Sequence, residues 1–598
     1  MKPRKEVKED LKWDLSRIFA DEEEFEEGLE RVKKKKDNIK KRYKGELSDP
    51  ETILCCLGEY EELMITAHHV YTHAMLAVSV DETNRENAER FNRIKMLLSE
   101  VESATSFVES EIKELDAGVI KNAAEKTEDY SVYLSDLLRE KDYRLKPEVE
   151  KSLSALSPVL EAPLNIYSKS KLADLEFDSF EVEGEEYPLS FVLFENKYEM
   201  EPDTVVRRKA FAQFSKSLAG YQHTMAETYA TQVQKEKIIS DLRGYDDIFE
   251  YLLFEQKVDR ELYDRQIDLI TEELAPKMQK YARLLQEIYG LEKMTFADLK
   301  VPVDSDLEPE VTVEESREYI EGALSVLGDE YRDTVLKAYE QRWVDFAQNR
   351  GKTTGGFCST PYGVNPYILL SWSGLMHEVF TLAHELGHAG HYILSQRNNS
   401  AFEDSPTRYF VEAPSTLNEL FLSRYLLEQK DDPRFRRWVL STMIGKTYYH
   451  NFVTHLLEAA YQREVYELID AGESISAPGL NELKKKVLED FWGDAVEIPE
   501  GAELTWMRQP HYYMGLYPYT YSAGLTIATA VNQRIEEEGQ PAVEDWLDVL
   551  RAGGTKRPVE LASMAGVDIT TDRPLRETIE FIGESIETIV ELTEEIEN

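Results

Sequence analysis

The sequence predicts a mostly α-helical protein with a small β-element set beside one histidine-bearing helix. Three observations carry this. Apolar residues recur three and four apart over long stretches, as in EEEFEEGLERVKKKKDNIKKRY at 22–43. Alternating β-like runs are short, confined to 177–198 and 352–372. The stretch SWSGLMHEVFTLAHELGHAGHYILSQ, 371–396, has an apolar stripe of Leu375, Val379, Leu382 and Leu386, no Pro, and Ser371 or Ser373 as a candidate N-cap.

In chain order, helices fill 21 to about 172. The lysine run at 33–36 reads as a solvated helix face. His68, His69 and His73 lack an acidic partner in helical register and read as structural. FDSFEVEGEEYPLSFVLFENKY, 177–198, alternates about a Gly and suggests a hairpin. It marks the expected junction between an N-terminal helical domain, 1–190, and a catalytic domain, 191–598. Helices resume at 205. The Pro- and Asp-rich 299–313 reads as an exposed connection, and helix returns from 314 to about 346. KTTGGFCSTPYGVNPYILLSW, 352–372, carries turn signals between short strands. A strand there offers a free edge to the backbone of an extended peptide, with Gly355, Gly356 and Phe357 as the contact residues. Cys358 reads as a small core residue.

With 598 residues the chain exceeds one ordinary core. A formal charge of −45 disfavours nucleic acid and anionic membranes as partners. Three cysteines give no disulfide framework, which suits a reducing compartment. MKPRKEVKEDLKWDL has no apolar segment after its basic residues, and no apolar run reaches the ~18 residues of a spanning helix. The expectation is a soluble, cytoplasmic protein.

His384-Glu385-Leu386-Gly387-His388 is an H-E-x-x-H signature. Residues four apart stack along a helix, so His384 and His388 can present two imidazoles to one metal ion. Zinc accepts two His and one carboxylate, leaving a fourth position for water, and Glu385 stands where it can take a proton. The alternative, a solvated His-rich face, explains the stripe of His377, His384, His388 and His391 less fully. Glu403, Glu412 and Glu419 are the candidates for the third ligand. Glu412 is preferred, with Glu419 supporting a ligand His as its outer partner; the swap stays open. His377 and His391 read as outer-sphere or channel-lining. TWMRQPHYYMGLYPYTYSAG, 505–524, groups His511 with Tyr512, Tyr513, Tyr517, Tyr519 and Tyr521, donors suited to a developing oxyanion. His450 and His455 read as structural histidines.

WDLSRIF at 13–19, GGFCS at 355–359, PYILLSWSG at 366–374, VFTLAHELGHAGH at 379–391, VEAPSTLNE at 411–419 and RQPHYYMGLYPYTYSAG at 508–524 together resemble oligoendopeptidase F, of the thimet-oligopeptidase-like zinc metallopeptidases. The resemblance spans nearly the whole chain. It implies one Zn²⁺ on His384, His388 and Glu412, Glu385 as general base, and His511 as an oxyanion-stabilising, substrate-binding residue. Tyr517 and Tyr521 are the matching catalytic tyrosines, with Tyr519 as the reserve for that role and as a substrate contact. It implies two helical lobes around a deep channel that admits short peptides and excludes folded proteins. Ser371-Trp372-Ser373-Gly374 departs from the family's Asn-aromatic-small-Gly pattern. The expected function is endopeptidase cleavage of short, unfolded peptides. Its rivals are a zinc carboxypeptidase of related fold and a peptide-binding protein without chemistry, against which the intact Glu385 speaks.

Overall fold

A computed structural model describes residues 2–597. Helix follows helix from Glu22 to Glu597, broken by two small sheets. The first long helices show why. Asp21 accepts the backbone N–H of Glu24, Glu22 to Glu24 fill the first turn, and Lys40, Lys41 and Arg42 fill the last. That arrangement caps both ends and matches the helix dipole. The next helix, Pro50–Ser79, starts with Asp49 as cap and Pro at its first position.

Strands β1 (Phe180–Val182) and β2 (Glu185–Tyr187) form the hairpin, turning on Glu183 and Gly184, both with positive φ. The second sheet joins β3 (Val344–Asp345), β4 (Phe357–Ser359) and β5 (Tyr367–Leu369) in the order β3-β5-β4. Cys358 pairs with Ile368. Among the described residues β4 pairs only with β5, so its other edge carries no strand.

The buried apolar residues divide into two cores. The smaller runs from Trp13 to Leu137; the larger runs from Tyr167 to Leu592. Strand β5 divides itself between them. Tyr367 and Leu369 enter the smaller core and Ile368 the larger, because successive side chains of a strand point to opposite faces. The three-stranded sheet is thus a seam between two helical bodies. Polar ties cross elsewhere: Glu403 accepts the backbone N–H groups of Val132 and Tyr133, both at 2.9 Å. The turn expected at 299–313 differs from its exposed reading. Val301, Val303 and Val311 are buried, and Asp304 accepts from Arg434 and Arg437. Its proline and acidic residues mask an alternation that the valines carry. No described helix is long and apolar enough to cross a membrane.

Under the seam, Asp345 is fully buried and accepts from Arg4 at 2.8 Å and from Lys352 at 2.7 Å. Asp345→Asn strands the buried Lys352 ammonium without its counter-charge. The expected loss is about 3–5 kcal/mol, read from denaturant unfolding; an unchanged midpoint would show the cluster to be energetically idle.

Candidate metal centre and active site

The H-E-x-x-H segment lies within the helix Met376–Gln396. Neither Ser371 nor Ser373 caps it. Its first N–H groups go instead to the 299–313 connection: Met376 N donates to the Pro309 carbonyl at 2.9 Å and His377 N to Glu308 at 3.0 Å. Glu378 reaches back to accept from Ser373 and Gly374. A carboxylate from outside the helix replaces the local cap. Val379, Leu382 and Leu386 are buried in the larger core, while Leu375 is only partly buried.

The partner helix, Ala413–Gln429, begins directly after Glu412, with Pro414 in its first turn. It approaches so closely that a Cβ on Gly387 would sit 2.5 Å from the Pro414 carbonyl oxygen and the Ser415 Cα. Glycine at that place in the motif is what lets Glu412 reach the imidazoles. Gly387→Ala therefore forces two backbones apart. Overpacking of this kind costs about 1–3 kcal/mol, and here it also separates the candidate ligands, so both thermal stability and metal retention should fall together. Retention of full metal affinity would detach the close approach from the site.

Glu412 Oε2 lies 3.4 Å from His384 Nε2 and 3.4 Å from His388 Nε2. A zinc ion ~2.0–2.1 Å from each ligand in a tetrahedron requires ligand-to-ligand edges of about 3.3–3.4 Å. The donor set therefore fits that ion. Ser415 Oγ donates to Glu412 Oε2 at 3.0 Å. Burial opposes the Glu412 charge, yet the two imidazoles outweigh it and hold the carboxyl well below its usual range. His384 Nδ1 lies 2.7 Å from Glu419 Oε1, and Thr447 donates to the other Glu419 oxygen. This contact orients the His384 ring and leaves Nε2 as the atom directed at Glu412. Glu403 is tied to the smaller core, and among the described residues only Glu412 completes a clustered donor group with the two imidazoles.

Glu385 is 6 % exposed, and burial raises its pKa. Gly355 has φ +87°, and a Cβ on Gly356 would stand 3.2 Å from Glu385 Oε1. The strand that was expected to receive peptide thus brings its glycine backbone against the carboxylate. Phe357 turns the other way, its ring 6.4 Å from Trp13. Its side chain belongs to the smaller core, which leaves backbone as its contribution at the strand edge.

His511 sits in a short turn, Pro510–Tyr513, and Tyr521 in the first turns of the helix Tyr519–Glu538. Tyr521 OH lies 3.4 Å from His511 Nε2, and the Tyr517 ring is 5.3 Å from that of Tyr521. Gly524 lets this helix pass against Glu412: a Cβ there would be 3.0 Å from Glu412 Cβ.

The sequence pattern of peptidase family M3 matches residues 198–581, and that of oligopeptidase F matches 111–177. The chain belongs to peptidase family M3. This M3 peptidase is 29 % identical over 594 residues to oligopeptidase PepF of Bacillus subtilis, covering 98 % of this chain and 88 % of that one. It is 28 % identical to an oligoendopeptidase F homolog of Borreliella burgdorferi, covering 98 % and 99 %. The crystal structure of oligoendopeptidase-F from Enterococcus faecium shares the fold, with TM-score 0.75 at 23 % identity over 96 % of this chain and 99 % of that one.

Two expected residues of this M3 peptidase stand elsewhere. Tyr519 is fully buried and donates to Gln256 at 2.6 Å. Positions 519 and 521 point to opposite sides of their helix, so only one can face His511. His391 is 1 % exposed, and neither ring nitrogen has a hydrogen-bond partner. Burial drives its pKa down to about 3. It supports no ligand by hydrogen bond. His377 pairs with Glu308 at 3.1 Å.

One group escaped the sequence reading. Glu458 lies behind His511 and hydrogen-bonds His455. Burial works against its charge, but His455 and His511 more than offset this and drive its pKa below the ordinary range. His450 and His455 are five apart, which an α-helix places on different faces. Here Met443–Thr454 is wound as a π-helix, whose i→i+5 pattern brings them together. Periodicity of 3.6 could not show this.

Proposed function

We propose that this peptidase is a zinc-dependent endopeptidase that cleaves internal bonds of short, unfolded peptides. The observation that carries the reading is the equal 3.4 Å spacing of both imidazole Nε2 atoms from one Glu412 oxygen, beside a buried Glu385. His384, His388 and Glu412 would hold the ion, and Glu419 orients His384. A bound divalent ion acidifies water and polarises a carbonyl. The free edge of β4 aligns an extended peptide by backbone hydrogen bonds, with Gly355 and Gly356 admitting its main chain against Glu385. Glu385 accepts the proton of the attacking water as the new C–O bond forms. It then delivers that proton to the amide nitrogen as the C–N bond breaks. His511 and Tyr521 donate to the carbonyl oxygen as it gains charge, with Tyr517 beside them. The deep channel that the family resemblance implies would restrict entry to chains that can extend.

Cleavage of an internally quenched peptide with an amidated C-terminus, abolished by a chelator and restored by zinc, is the expected result. Cleavage only of free C-termini would turn the reading to a carboxypeptidase. Tight peptide binding with no turnover in the zinc-loaded protein would leave a binding protein.

A further inference from the structure

Behind the proposed oxyanion donors lies a buried carboxylate that metal binding does not require. Glu458, on the helix His455–Asp470, is 5 % exposed. Its Oε2 accepts from His455 Nδ1 at 2.8 Å and faces His511 Nδ1 at 3.8 Å. His455 Nε2 lies 3.0 Å from His450 Nε2, and His450 is exposed. The His455 ring stacks on Tyr521, with centroids 4.1 Å apart and planes 15° from parallel. Lys484 lines the same cavity as Glu458, but its ammonium donates to the Leu457 carbonyl at 3.3 Å.

Burying a carboxylate is costly unless its charge is answered. Here two imidazoles face it, Lys484 lines the same cavity, and no lysine or arginine hydrogen-bonds it among the described residues. One of those imidazoles is His511 itself, and the other, His455, is packed flat against Tyr521. A donor at a reacting oxygen works only if its ring is held in one orientation before charge develops. We propose that Glu458 is the positioning residue for both oxyanion donors. It bears on His511 by charge, across the 3.8 Å between Oε2 and a buried Nδ1 that has no hydrogen-bond partner, and on Tyr521 through the His455 ring. This rests on the reading of His511 and Tyr521 given above.

The same atoms of His455, Glu458 and His511 lie within 4.8 Å of one another, which raises a second cation as the rival. Two features oppose it. The His455–Glu458 separation of 2.8 Å is that of a hydrogen bond, shorter than the ~3.3 Å edge shared by two ligands of one zinc ion. Lys484 also places a positive charge beside the cluster.

The test is Glu458→Gln in the full-length, zinc-loaded enzyme, with kcat, KM and bound metal measured on one quenched peptide. Removing an oxyanion donor outright costs about 10²–10³ in kcat, so misorienting the donors should cost roughly 10–100-fold. KM should stay within about twofold and one metal per chain should remain, because Glu458 is buried and outside the His384–His388–Glu412 donor set. Glu458→Asp keeps the charge and should recover part of kcat. Combined with His511→Ala, the loss should fall well short of the product of the two single losses. Should Glu458→Gln fail to fold, Glu458→Asp carries the test alone, with a smaller fall in kcat at constant KM. An unchanged kcat in an active enzyme, fully multiplicative losses, or two metals in the wild type with one in Glu458→Gln each overturn the inference. A zinc-loaded wild type without peptidase activity takes down the underlying reading as well, which separates the two failures.

Discussion

Glu385→Gln should keep its metal and lose nearly all turnover. The substitution preserves volume in a site where the side chain is 6 % exposed and Gly356 lies against it, so little repacking follows. It removes only the ability to take and return a proton. General base catalysis is worth about 10²–10⁴-fold, and kcat should fall by that factor with KM barely moved. Burial already raises the proton affinity of this carboxylate, which suits a group that must hold a proton between two steps. Wild-type turnover in a fully loaded Glu385→Gln enzyme would take the base assignment away from this residue.

Glu412→Gln should have the opposite signature: little metal and, for that reason, little activity. The amide keeps the bond from Ser415 but brings no charge to the pair of imidazoles. Losing an outer partner of a metal ligand weakens binding about 10–100-fold, and a ligand itself should exceed that. Metal titration by competition with a chromophoric chelator reads the change. Glu419→Gln gives the contrast, since Glu419 touches only His384 among the proposed ligands. A Glu419→Gln protein that loses its metal more completely than Glu412→Gln would exchange the two roles.

The helical class and the helix carrying the H-E-x-x-H segment were legible because both rest on local spacing. Residues four apart on a helix meet whatever surrounds them. The choice between Glu412 and Glu419 was less legible, since both carboxylates do reach His384. What separates them is that Glu412 stands just outside its helix while Glu419 lies two turns in, a boundary set by Pro414 and by tertiary packing. Tyr519 was misplaced because the start of its helix, and hence its facing, could not be fixed within a run of tyrosines. The connection at 299–313 hid its burial behind proline and aspartate, although Val301 and Val303 carried the alternating signal. The Glu458 cluster was out of reach for a different reason. It depends on a stretch wound wider than an α-helix, and on a turn from a segment some fifty residues downstream.

Gly387 and Gly390 both lie on the helix Met376–Gln396, and both exclude a methyl group, but on different grounds. A Cβ at 390 would collide with the Tyr331 ring, whereas at 387 it meets main chain. In a genetic screen for revertants, an alanine at 390 should be rescued by a smaller residue at 331. An alanine at 387 offers no side chain to trim, so its suppressors should be absent and true reversion the only escape.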